Sequence, residues 1–249
     1  PCDSKGMRLK IMTKVLGVIG GLGPLASAYF YKLITIMTEA EKDQEHLEVI
    51  VYSKPSIPDR TAYILGKTKE SPLPPMLETG RRLVDLGAEH IAIPCITAHY
   101  FYDSLSRGIS APIIHAIKET RQVLEKNGVK RAGLLATEGT IVSRIFQSEL
   151  ELGGISTILP DSLHQTYVMD LIYEGIKANH SINFDKFLDA AKQMKKNGAE
   201  ILILGCTELS LIKSEFDLGK GYLDVMEVLA KASILKSGAN IKKKYLDLL

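Results

Sequence analysis

One pattern occurs twice in the chain: Gly-Ala-Glu-His-Ile-Ala-Ile-Pro-Cys-Ile-Thr at residues 87–97 and Gly-Ala-Glu-Ile-Leu-Ile-Leu-Gly-Cys-Thr at residues 198–207. The spacing from glycine to cysteine is the same in both copies. A short apolar run after a glycine turn predicts a buried parallel strand. A cysteine just beyond such a strand lies where open α/β sheets bind their ligands. The repeat therefore predicts two equivalent half-sites, carrying Cys95 and Cys206, that face one cleft.

Two further stretches repeat in the same order along the chain. Residues 17–23 match residues 133–139, with glycines in register at both ends, and residues 112–115 match residues 221–224. Self-similarity over so long a period indicates two copies of a domain. Strand and helix patterns alternate throughout, which is typical of parallel sheets with right-handed crossovers. We predict an α/β fold of two pseudo-symmetric, doubly wound parallel-sheet domains with the active site in the cleft between them.

The repeat also indicates where the domains begin and end. We predict a first domain from residues 12–113 together with 225–249, and a second domain from residues 114–224. Residues 1–11 are interpreted as an N-terminal extension, because strand-like sequence begins only after Met12. The third cysteine, Cys2, lies in that extension, and we do not expect it to take part in the chemistry.

Hydrophobic periodicity locates the elements around the two cysteines. A tight glycine loop at residues 20–24 leads into a predicted helix. Residues 53–75 hold five of the ten prolines and predict a long loop, and long loops in compact domains are often lids or binding loops. The pattern predicts single helices over residues 24–42, 75–86, 116–126, 140–152 and 162–177.

The composition excludes several classes of protein. The 249 residues are 45% hydrophobic and 24% charged, as in an ordinary globular chain. A net charge of +2 gives no field that would attract nucleic acid or an anionic membrane. No apolar run is long enough to span a membrane, and residues 1–11 do not have the pattern of a signal peptide. We therefore expect a cytoplasmic protein whose cysteines are reduced.

Cys95 and Cys206 suit proton transfer at a single carbon atom. A thiol of ordinary pKa, about 8.5, is partly ionised near neutral pH, and a helix N-terminus stabilises its thiolate. One thiolate can abstract a proton while an opposed thiol delivers a proton to the other face of the carbon. Such a pair needs no cofactor and suits racemisation. The alternative is that both cysteines are small, buried apolar residues.

Five motifs in order resemble those of the aspartate/glutamate racemase family. The resemblance covers nearly the whole chain after Met12. It implies cofactor-independent racemisation of an acidic amino acid, with aspartate favoured and glutamate possible, between two pseudo-symmetric domains of a homodimer. The motifs are Gly-Gly-Leu-Gly-Pro at 20–24, Pro-Asp-Arg-Thr-Ala-Tyr-Ile at 58–64, Pro-Cys-Ile-Thr-Ala-His at 94–99, Leu-Ala-Thr-Glu-Gly-Thr at 135–140 and Leu-Gly-Cys-Thr-Glu at 204–208.

The resemblance also implies roles for single residues. It makes Cys95 and Cys206 the acid/base pair. One position departs from the family pattern, because Ile96 stands where an asparagine amide would normally bond the substrate near its α-carbon. The implied substrate-binding residues are Arg60 and Lys177, which would bind the side-chain carboxylate. We expect Thr97, Thr137 and Thr207 to supply hydroxyls to the substrate in place of the missing amide, and Leu22 to be a further substrate-binding residue.

The residues themselves support these two cations unequally. Arg60 suits a carboxylate because its guanidinium fork makes two parallel hydrogen bonds, although a surface loop arginine in a weak salt bridge would give the same sequence. Lys177 has a stronger structural alternative, since a lysine at a helix end commonly just complements the helix dipole.

Two other functions are compatible with parts of the sequence. Residues 21–26 fit the loose dinucleotide pattern Gly-x-Gly-x-x-Ala, so the Gly20–Gly23 loop is a candidate nucleotide- or small-anion-binding module. No acidic residue follows the second predicted strand, where a ribose would need one. Alternatively, Cys95, His99 and Cys206 form a set of ligands that would suit a catalytic zinc ion.

Overall fold

Two parallel sheets form the framework of the computed structural model, which describes residues 13–249. The first sheet has the order β2-β1-β3, and the second has the order β5-β4-β6-β7. All named strand pairs are parallel. The strands are β1 Leu16–Gly20, β2 Val49–Ser53, β3 His90–Ala92, β4 Arg131–Leu135, β5 Ser156–Ile158, β6 Ile201–Leu204 and β7 Tyr222–Asp224.

Helices connect these strands and cover the sheets. Residues Asp43–Glu45, Thr97–Phe101 and Lys243–Tyr245 form short 3-10 turns, and Leu171–Lys177 forms a π-helical turn. The α-helices are α1 Pro24–Met37, α2 Arg60–Ile64, α3 Leu73–Asp85, α4 Tyr102–Gly108, α5 Ala116–Lys126, α6 Glu138–Val142, α7 Ile145–Leu152, α8 Ser162–Asp170, α9 Phe184–Lys196, α10 Leu209–Glu215 and α11 Val225–Lys236. The predicted linking helix over residues 116–126 is confirmed.

The two halves follow one plan, as the repeat predicts. In each sheet the first strand of the half lies between the second and the third. In the first half Ile113 bridges Ile91 on the outer side of β3, the position that β7 takes beside β6 in the second half. The predicted α/β architecture of parallel sheets is therefore confirmed. The predicted domain limits, which assign residues 225–249 to the first half, stay a prediction, and residues 1–11 with Cys2 lie outside the described residues.

The Gly-Ala-Glu sequence has the same structural task in both copies. Its glycines, Gly87 and Gly198, have φ angles of 101° and 94°, a region that side chains with a Cβ rarely adopt. Its glutamates each accept a hydrogen bond from the backbone at the start of the central strand. Glu89 Oε2 lies 3.1 Å from the nitrogen of Val15, and Glu200 Oε2 lies 3.0 Å from the nitrogen of Lys130. The repeat therefore sets the turn before β3 and β6.

Several predicted helix limits are wrong. Helix α1 ends at Met37, not at residue 42, because Thr38 is extended and bridges Ile241. The predicted helix over residues 140–152 is two helices, broken at Arg144, whose φ of 57° is left-handed. The predicted loop over residues 53–75 contains α2, which Asp59 caps by accepting a hydrogen bond from Ala62 at 2.7 Å.

The π-helical turn corrects another predicted helix. We predict one continuous helix over residues 162–177, but in the structure the segment Leu171–Lys177 is π-helical. Such turns are rare in proteins, and those that occur are often found at functional sites. Here the turn ends at Lys177, one of the predicted site residues. Helix α3 begins at Leu73, two residues before the predicted start.

The apolar core connects the two halves. Its largest cluster includes Leu16 and Phe30 of the first half and Leu134 and Phe146 of the second. Helix α11 contributes Met226 to the same cluster and packs against both α1 and α5. Within residues 13–249, no helix is both long and apolar enough to cross a membrane.

A buried carboxyl lies at the junction of β7 and α11. Asp224 is fully buried, and its Oδ1 accepts hydrogen bonds from Ser210 Oγ at 2.6 Å and from the nitrogen of Met226 at 2.9 Å. Its Oδ2 has no hydrogen-bond partner among the described residues. Burial, and then the charge of Glu227, raise the pKa of Asp224 to about 7.

This raised pKa predicts how Asp224→Asn changes the pH dependence of stability. In the folded protein Asp224 keeps its proton up to about pH 7, whereas in the unfolded chain it loses that proton above about pH 4. Its contribution to the free energy of unfolding therefore falls as the pH rises from 4 to 7. Asparagine keeps the Oδ1 acceptor and does not titrate. The variant should therefore gain stability relative to the parent between pH 5 and 8, on the order of a few kcal/mol at most.

Urea unfolding at several pH values measures this difference. Asp217→Asn is the matched control, because Asp217 also accepts a backbone hydrogen bond, from the nitrogen of Gly219 at 3.0 Å, but is exposed. The control should show a constant difference over the same range. A constant difference for Asp224→Asn would contradict the prediction.

Candidate active site

Cys95 and Cys206 occupy equivalent positions at the carboxyl ends of the two sheets. Cys95 follows β3 and precedes the 3-10 turn Thr97–Phe101, and Cys206 follows β6 and precedes α10. Each backbone carbonyl accepts a hydrogen bond from the following turn, from Ala98 at 3.2 Å and from Leu209 at 2.9 Å. Both cysteines have free thiols and are buried, with exposed fractions of 7% for Cys95 and 6% for Cys206. They are therefore placed as the repeat predicts.

One small inner cavity contains both cysteines. Its volume is about 10 Å³, which is room for roughly one water molecule. The structure brings all the predicted site residues to its wall, and it adds Asp59, Thr61, Ile96 and Glu208. The predicted residues on the wall are Cys95, Cys206, Arg60, Thr97, Thr137, Lys177, Thr207 and Leu22.

A larger outer cavity adjoins the inner one. Its volume is about 340 Å³, and it lies between the glycine loop, the loop before α2 and the end of the π-helical turn. Much of its wall is apolar, with Pro24, Pro55 and Ile176 among the lining residues. The two cavities share five residues, which are Leu22, Asp59, Arg60, Lys177 and Glu208. These shared residues therefore line the boundary between the outer cavity and the inner cavity that holds the thiols.

The Arg60 guanidinium is buried and bonded to backbone carbonyls. Its Nη1 donates to the carbonyls of Pro58 at 3.0 Å and Ile57 at 3.3 Å, and its Nη2 donates to the carbonyl of Leu22. Its Nε is buried without a hydrogen-bond partner in residues 13–249. Both arms of the fork thus join the glycine loop to the loop before α2. A two-armed contact from Arg60 to a substrate carboxylate stays a prediction, and these bonds compete with it.

Arg60 also lies beside Cys95. Burial by itself would lower the pKa of Arg60, but the nearby Cys95 and Asp59 outweigh it and raise the pKa. The guanidinium is therefore a fixed positive charge on the Cys95 side of the inner cavity.

Lys177 faces the cavities, although the sequence alone allows it a purely dipole-related role. Its Nζ lies 3.6 Å from Asp59 Oδ2 and 4.0 Å from the centre of the Tyr173 ring. Burial by itself would lower the pKa of Lys177, but Glu208, Tyr173, Cys206 and Asp59 together raise it. The π-helical turn thus brings a stable ammonium group to the wall of both cavities.

Three threonine hydroxyls join the two halves at the floor of the site. Thr97 Oγ1 of the first half lies 2.9 Å from Thr137 Oγ1 and 3.0 Å from Thr140 Oγ1 of the second. Thr137 also caps α6. The sequence predicts Thr97 and Thr137 as site residues but not Thr140, although Thr140 belongs to the motif that contains Thr137.

Glu208 is the main site residue that the sequence prediction missed. It is only 4% exposed, and its Oε2 accepts hydrogen bonds from Cys206 Sγ at 2.9 Å and from Thr207 Oγ1 at 3.3 Å. Its Oε1 is buried and has no partner among the described residues. Burial, and then the charge of Glu208, raise the pKa of Cys206 well above its usual value. The signal was present, because Glu208 ends the Cys-Thr-Glu motif.

His99 does not offer a free nitrogen to a metal ion. Its Nδ1 lies 3.2 Å from the carbonyl of Cys95, and its Nε2 accepts a hydrogen bond from the nitrogen of Ala116 at 3.2 Å. Burial, and then the charge of His115, lower the pKa of His99 to about 4. Within residues 13–249, no three His, Cys, Asp or Glu side chains are grouped as a metal site. His99 is a packing residue, and the zinc alternative loses its third ligand.

The glycine loop is committed to structure in its first half. The nitrogen of Gly21 donates to Ser27 Oγ at 2.9 Å, and the carbonyl of Gly20 accepts from the nitrogen of Lys54 at 3.1 Å. Gly21 has a φ of 84° and packs against the backbone of Lys54 and Pro55, which leaves no room for a side chain. Since the Gly21 N–H is already bonded, the nucleotide-binding alternative loses a donor that it needs.

A cleft between two similar parallel-sheet halves, with a cysteine from each, defines an amino acid racemase, and comparison with known proteins gives the same class. Residues 19–233 match the sequence model of the family described as Asp/Glu/hydantoin racemase. The chain belongs to that family, as its motifs predict.

Individual relatives agree with this assignment. The aspartate racemase of Picrophilus torridus has a similar structure, with a TM-score of 0.81 and 32% identity over 93% of this chain and 97% of that one. An aspartate racemase homologue from Pyrococcus horikoshii OT3 has a TM-score of 0.73 and 26% identity, over 91% and 99% of the two chains. The broad-specificity amino-acid racemase RacX of Bacillus subtilis is 26% identical over 88% of this chain and 96% of its own.

The carbonyl contacts of Arg60 predict a large effect of Arg60→Lys on stability. Lysine keeps the charge but cannot reach three carbonyls in the geometry of the guanidinium fork. A hydrogen bond to a charged group contributes about 1.5–3 kcal/mol, so we expect a loss of at least about 2 kcal/mol in the free energy of unfolding. Arg131→Lys is the control, because Arg131 is exposed and its nearest carboxylate, Glu200, is 3.7 Å away. An unchanged urea midpoint for Arg60→Lys would mean that the fork is free for a ligand.

Proposed function

We propose that the protein interconverts the L and D forms of an acidic amino acid, preferably aspartate, by proton transfer between two thiols without a cofactor. The observation that carries the proposal is that Cys95 and Cys206, one from each half, line a single buried cavity as free thiols. In the reaction, the thiolate of one cysteine takes the α-proton, and the thiol of the other gives a proton to the opposite face of the α-carbon. Each turnover exchanges the protonation states of the pair.

The cavities support a simple division of the substrate. The inner cavity is smaller than an amino acid, so we expect the halves to separate slightly when the substrate enters. The α-carbon then lies between the thiols, with the Thr97, Thr137 and Thr207 hydroxyls available to its carboxylate and ammonium groups. The side chain lies toward the outer cavity, beside Leu22. The Ile96 side chain is buried and apolar, so it cannot make a hydrogen bond to the substrate near the α-carbon.

Lys177 is the better candidate of the two cations for the distal carboxylate. Its ammonium group lies at the junction of the cavities, and among residues 13–249 one carboxylate lies within 4 Å of it, that of Asp59 at 3.6 Å. Arg60 already donates to three carbonyls, so its contribution to the substrate is the positive field of the guanidinium and the buried Nε–H.

A second candidate substrate class is an amino acid with a longer neutral side chain. The outer cavity, about 340 Å³ with a largely apolar wall, is larger than an aspartate side chain requires. Two carboxylates, Asp59 and Glu208, already accompany Arg60 and Lys177 on the shared wall. A substrate carboxylate is therefore not needed to neutralise the positive charges of Arg60 and Lys177. The printed name of the Bacillus subtilis relative, a broad-specificity racemase, agrees with this candidate.

The homodimer, the cytoplasmic location and the domain limits also stay predictions. They rest on the sequence and on the family resemblance.

Incubation with amino acids in D₂O tests the reaction and the two thiols together. We expect exchange of the α-proton of an acidic amino acid with no added cofactor. Cys95→Ser and Cys206→Ser should each lower racemisation by about 100-fold or more, because a serine hydroxyl is far less acidic than a thiol. Each variant should keep some exchange, without inversion, of the enantiomer whose proton its remaining thiol abstracts. A variant that racemises at near the parent rate would contradict the two-thiol mechanism.

Lys177→Met tests which side chain the site recognises. Methionine keeps the apolar stem and removes the charge. If Lys177 binds the distal carboxylate, kcat/KM for aspartate should fall by about 10- to 100-fold, and turnover of a neutral amino acid should change little. Lys186→Met is the matched control, since Lys186 pairs with Asp170 and lines neither cavity. Equal losses for acidic and neutral substrates would assign Lys177 a structural role.

A further inference from the structure

The two half-sites are alike in backbone but opposite in charge. In the repeat, the residue two positions after the first cysteine is Thr97, and the residue two positions after the second is Glu208. Thr97 uses its hydroxyl to contact Thr137 and Thr140 across the cleft. Glu208 instead places a carboxylate against the thiol of its own half. A pair of groups that must exchange roles is therefore held in two different environments.

The environment of Cys206 favours the neutral thiol. Its Sγ donates a hydrogen bond to Glu208 Oε2 at 2.9 Å, in a site where Cys206 is 6% exposed and Glu208 is 4% exposed. Loss of the Cys206 proton would remove this bond and place two negative charges in contact at low dielectric, which is strongly unfavourable.

One charged group that faces Cys206 from another element, Lys177, acts in the opposite direction. Lys177, on the π-helical turn, favours a negative charge on Cys206, and Tyr173 lies on the same turn. The Lys177 ammonium is shared with Asp59 and with the Tyr173 ring. No hydrogen bond joins it to Cys206 within the described residues, whereas Glu208 is in direct contact. The effect of Glu208 therefore exceeds that of Lys177.

The charged group beside Cys95 is a cation instead of a carboxylate. The cation beside it is the buried Arg60 guanidinium, fixed in place by the carbonyls of Leu22, Ile57 and Pro58. The carboxylate of Asp59, which lines the same cavity, accepts hydrogen bonds from Tyr173 and the nitrogen of Ala62 and pairs with Lys177. A negative charge on Cys95 would thus lie beside a fixed cation.

We propose that Glu208 keeps the proton on Cys206, so that in the free enzyme Cys206 is the proton donor and Cys95, beside Arg60, is the base. Glu208 is then a positioning residue, since it acts through Cys206. This inference deepens the proposed function and rests on it for its catalytic meaning. The enantiomer whose α-proton faces Cys95 meets the resting form of the enzyme directly.

The proposal also gives the two directions of the reaction different starting states of the enzyme. When the α-proton moves to Cys95 Sγ, the proton of Cys206 moves to the α-carbon, and a Cys206 thiolate is left beside the Glu208 carboxylate. This state is the less stable one, so Cys206 regains a proton and Cys95 loses one before the next turnover of the same enantiomer. The opposite enantiomer reacts only from the less stable state.

Reactivity toward methyl methanethiosulfonate, a small reagent selective for thiolates, tests the proposal without substrate. The modification rates of Cys95 and Cys206 would be followed separately by mass spectrometry between pH 6 and 9. Because the two cysteine residues are almost equally exposed, the change of the rate ratio with pH reports mainly on ionisation. We expect Cys95 to react at least about tenfold faster than Cys206 at pH 7 in the parent protein. Equal rates, or a faster Cys206, would overturn the proposal.

Glu208→Gln separates charge from shape. Glutamine keeps an oxygen that accepts the Cys206 hydrogen bond but removes the negative charge. The rate at Cys206 should rise at least about tenfold, and its pH profile should move to lower pH. Glu138→Gln is the control, since Glu138 is an exposed glutamate that lines neither cavity. An unchanged Cys206 rate in folded Glu208→Gln would overturn the proposal, and the ratio in the parent protein remains decisive if that variant does not fold.

The result is distinguishable from a failure of the proposed function. Unequal thiol reactivity together with no racemisation of any amino acid would reject the proposed function and leave the Glu208 effect standing. Racemisation with equal thiol reactivities would do the reverse.

Discussion

The buried Arg60 guanidinium is the interaction on which the shape of the site depends. A charged side chain that is 6% exposed must have its hydrogen-bond donors satisfied. Arg60 satisfies most of them with the carbonyls of Leu22, Ile57 and Pro58. Those carbonyls belong to two loops that are distant in sequence and that form one wall of both cavities. The same group supplies the positive charge beside Cys95, so it links the architecture of the site to its electrostatics.

The charges around the two cysteines form one connected system. Asp59 caps α2 and pairs with Lys177, and burial by itself would raise the pKa of Asp59, but the Ala62 bond, Lys177 and Arg60 outweigh it and lower the pKa. Lys177 in turn lies near Glu208, which accepts the proton of Cys206 in a hydrogen bond. A change in the charge of one of these groups therefore changes the protonation of the others. This coupling explains why two half-sites with similar backbones can hold their thiols in different electrostatic environments.

The same balance bears on substrate choice. The resemblance of the chain to aspartate racemases favours an acidic substrate, and Lys177 is available to it. However, the shared wall already carries two carboxylates for its two cations, and the outer cavity is wide and largely apolar. Substrate preference in such a site depends on whether Lys177 exchanges Asp59 for a substrate carboxylate. The two side chains of this pair lie 3.6 Å apart on different elements, and only Asp59 belongs to one of the family motifs.

The sequence by itself determined the fold class and the equivalence of Cys95 and Cys206. Both follow from local pattern, because a buried strand ends where its apolar run ends and parallel strands bring their carboxyl ends to one edge. The resemblance to the family, not the local pattern, implied Arg60 and Lys177 at the same cavity. Helix limits were less predictable, since Thr38 leaves α1 in order to pair with Ile241 and Arg144 adopts a left-handed conformation between α6 and α7. The sequence could not show which groups each charge contacts. Only the tertiary structure decided that Arg60 donates to carbonyls, that a π-helical turn carries Lys177 to Asp59, and that Glu208 faces Cys206, because these contacts depend on the packing of elements far apart in the chain.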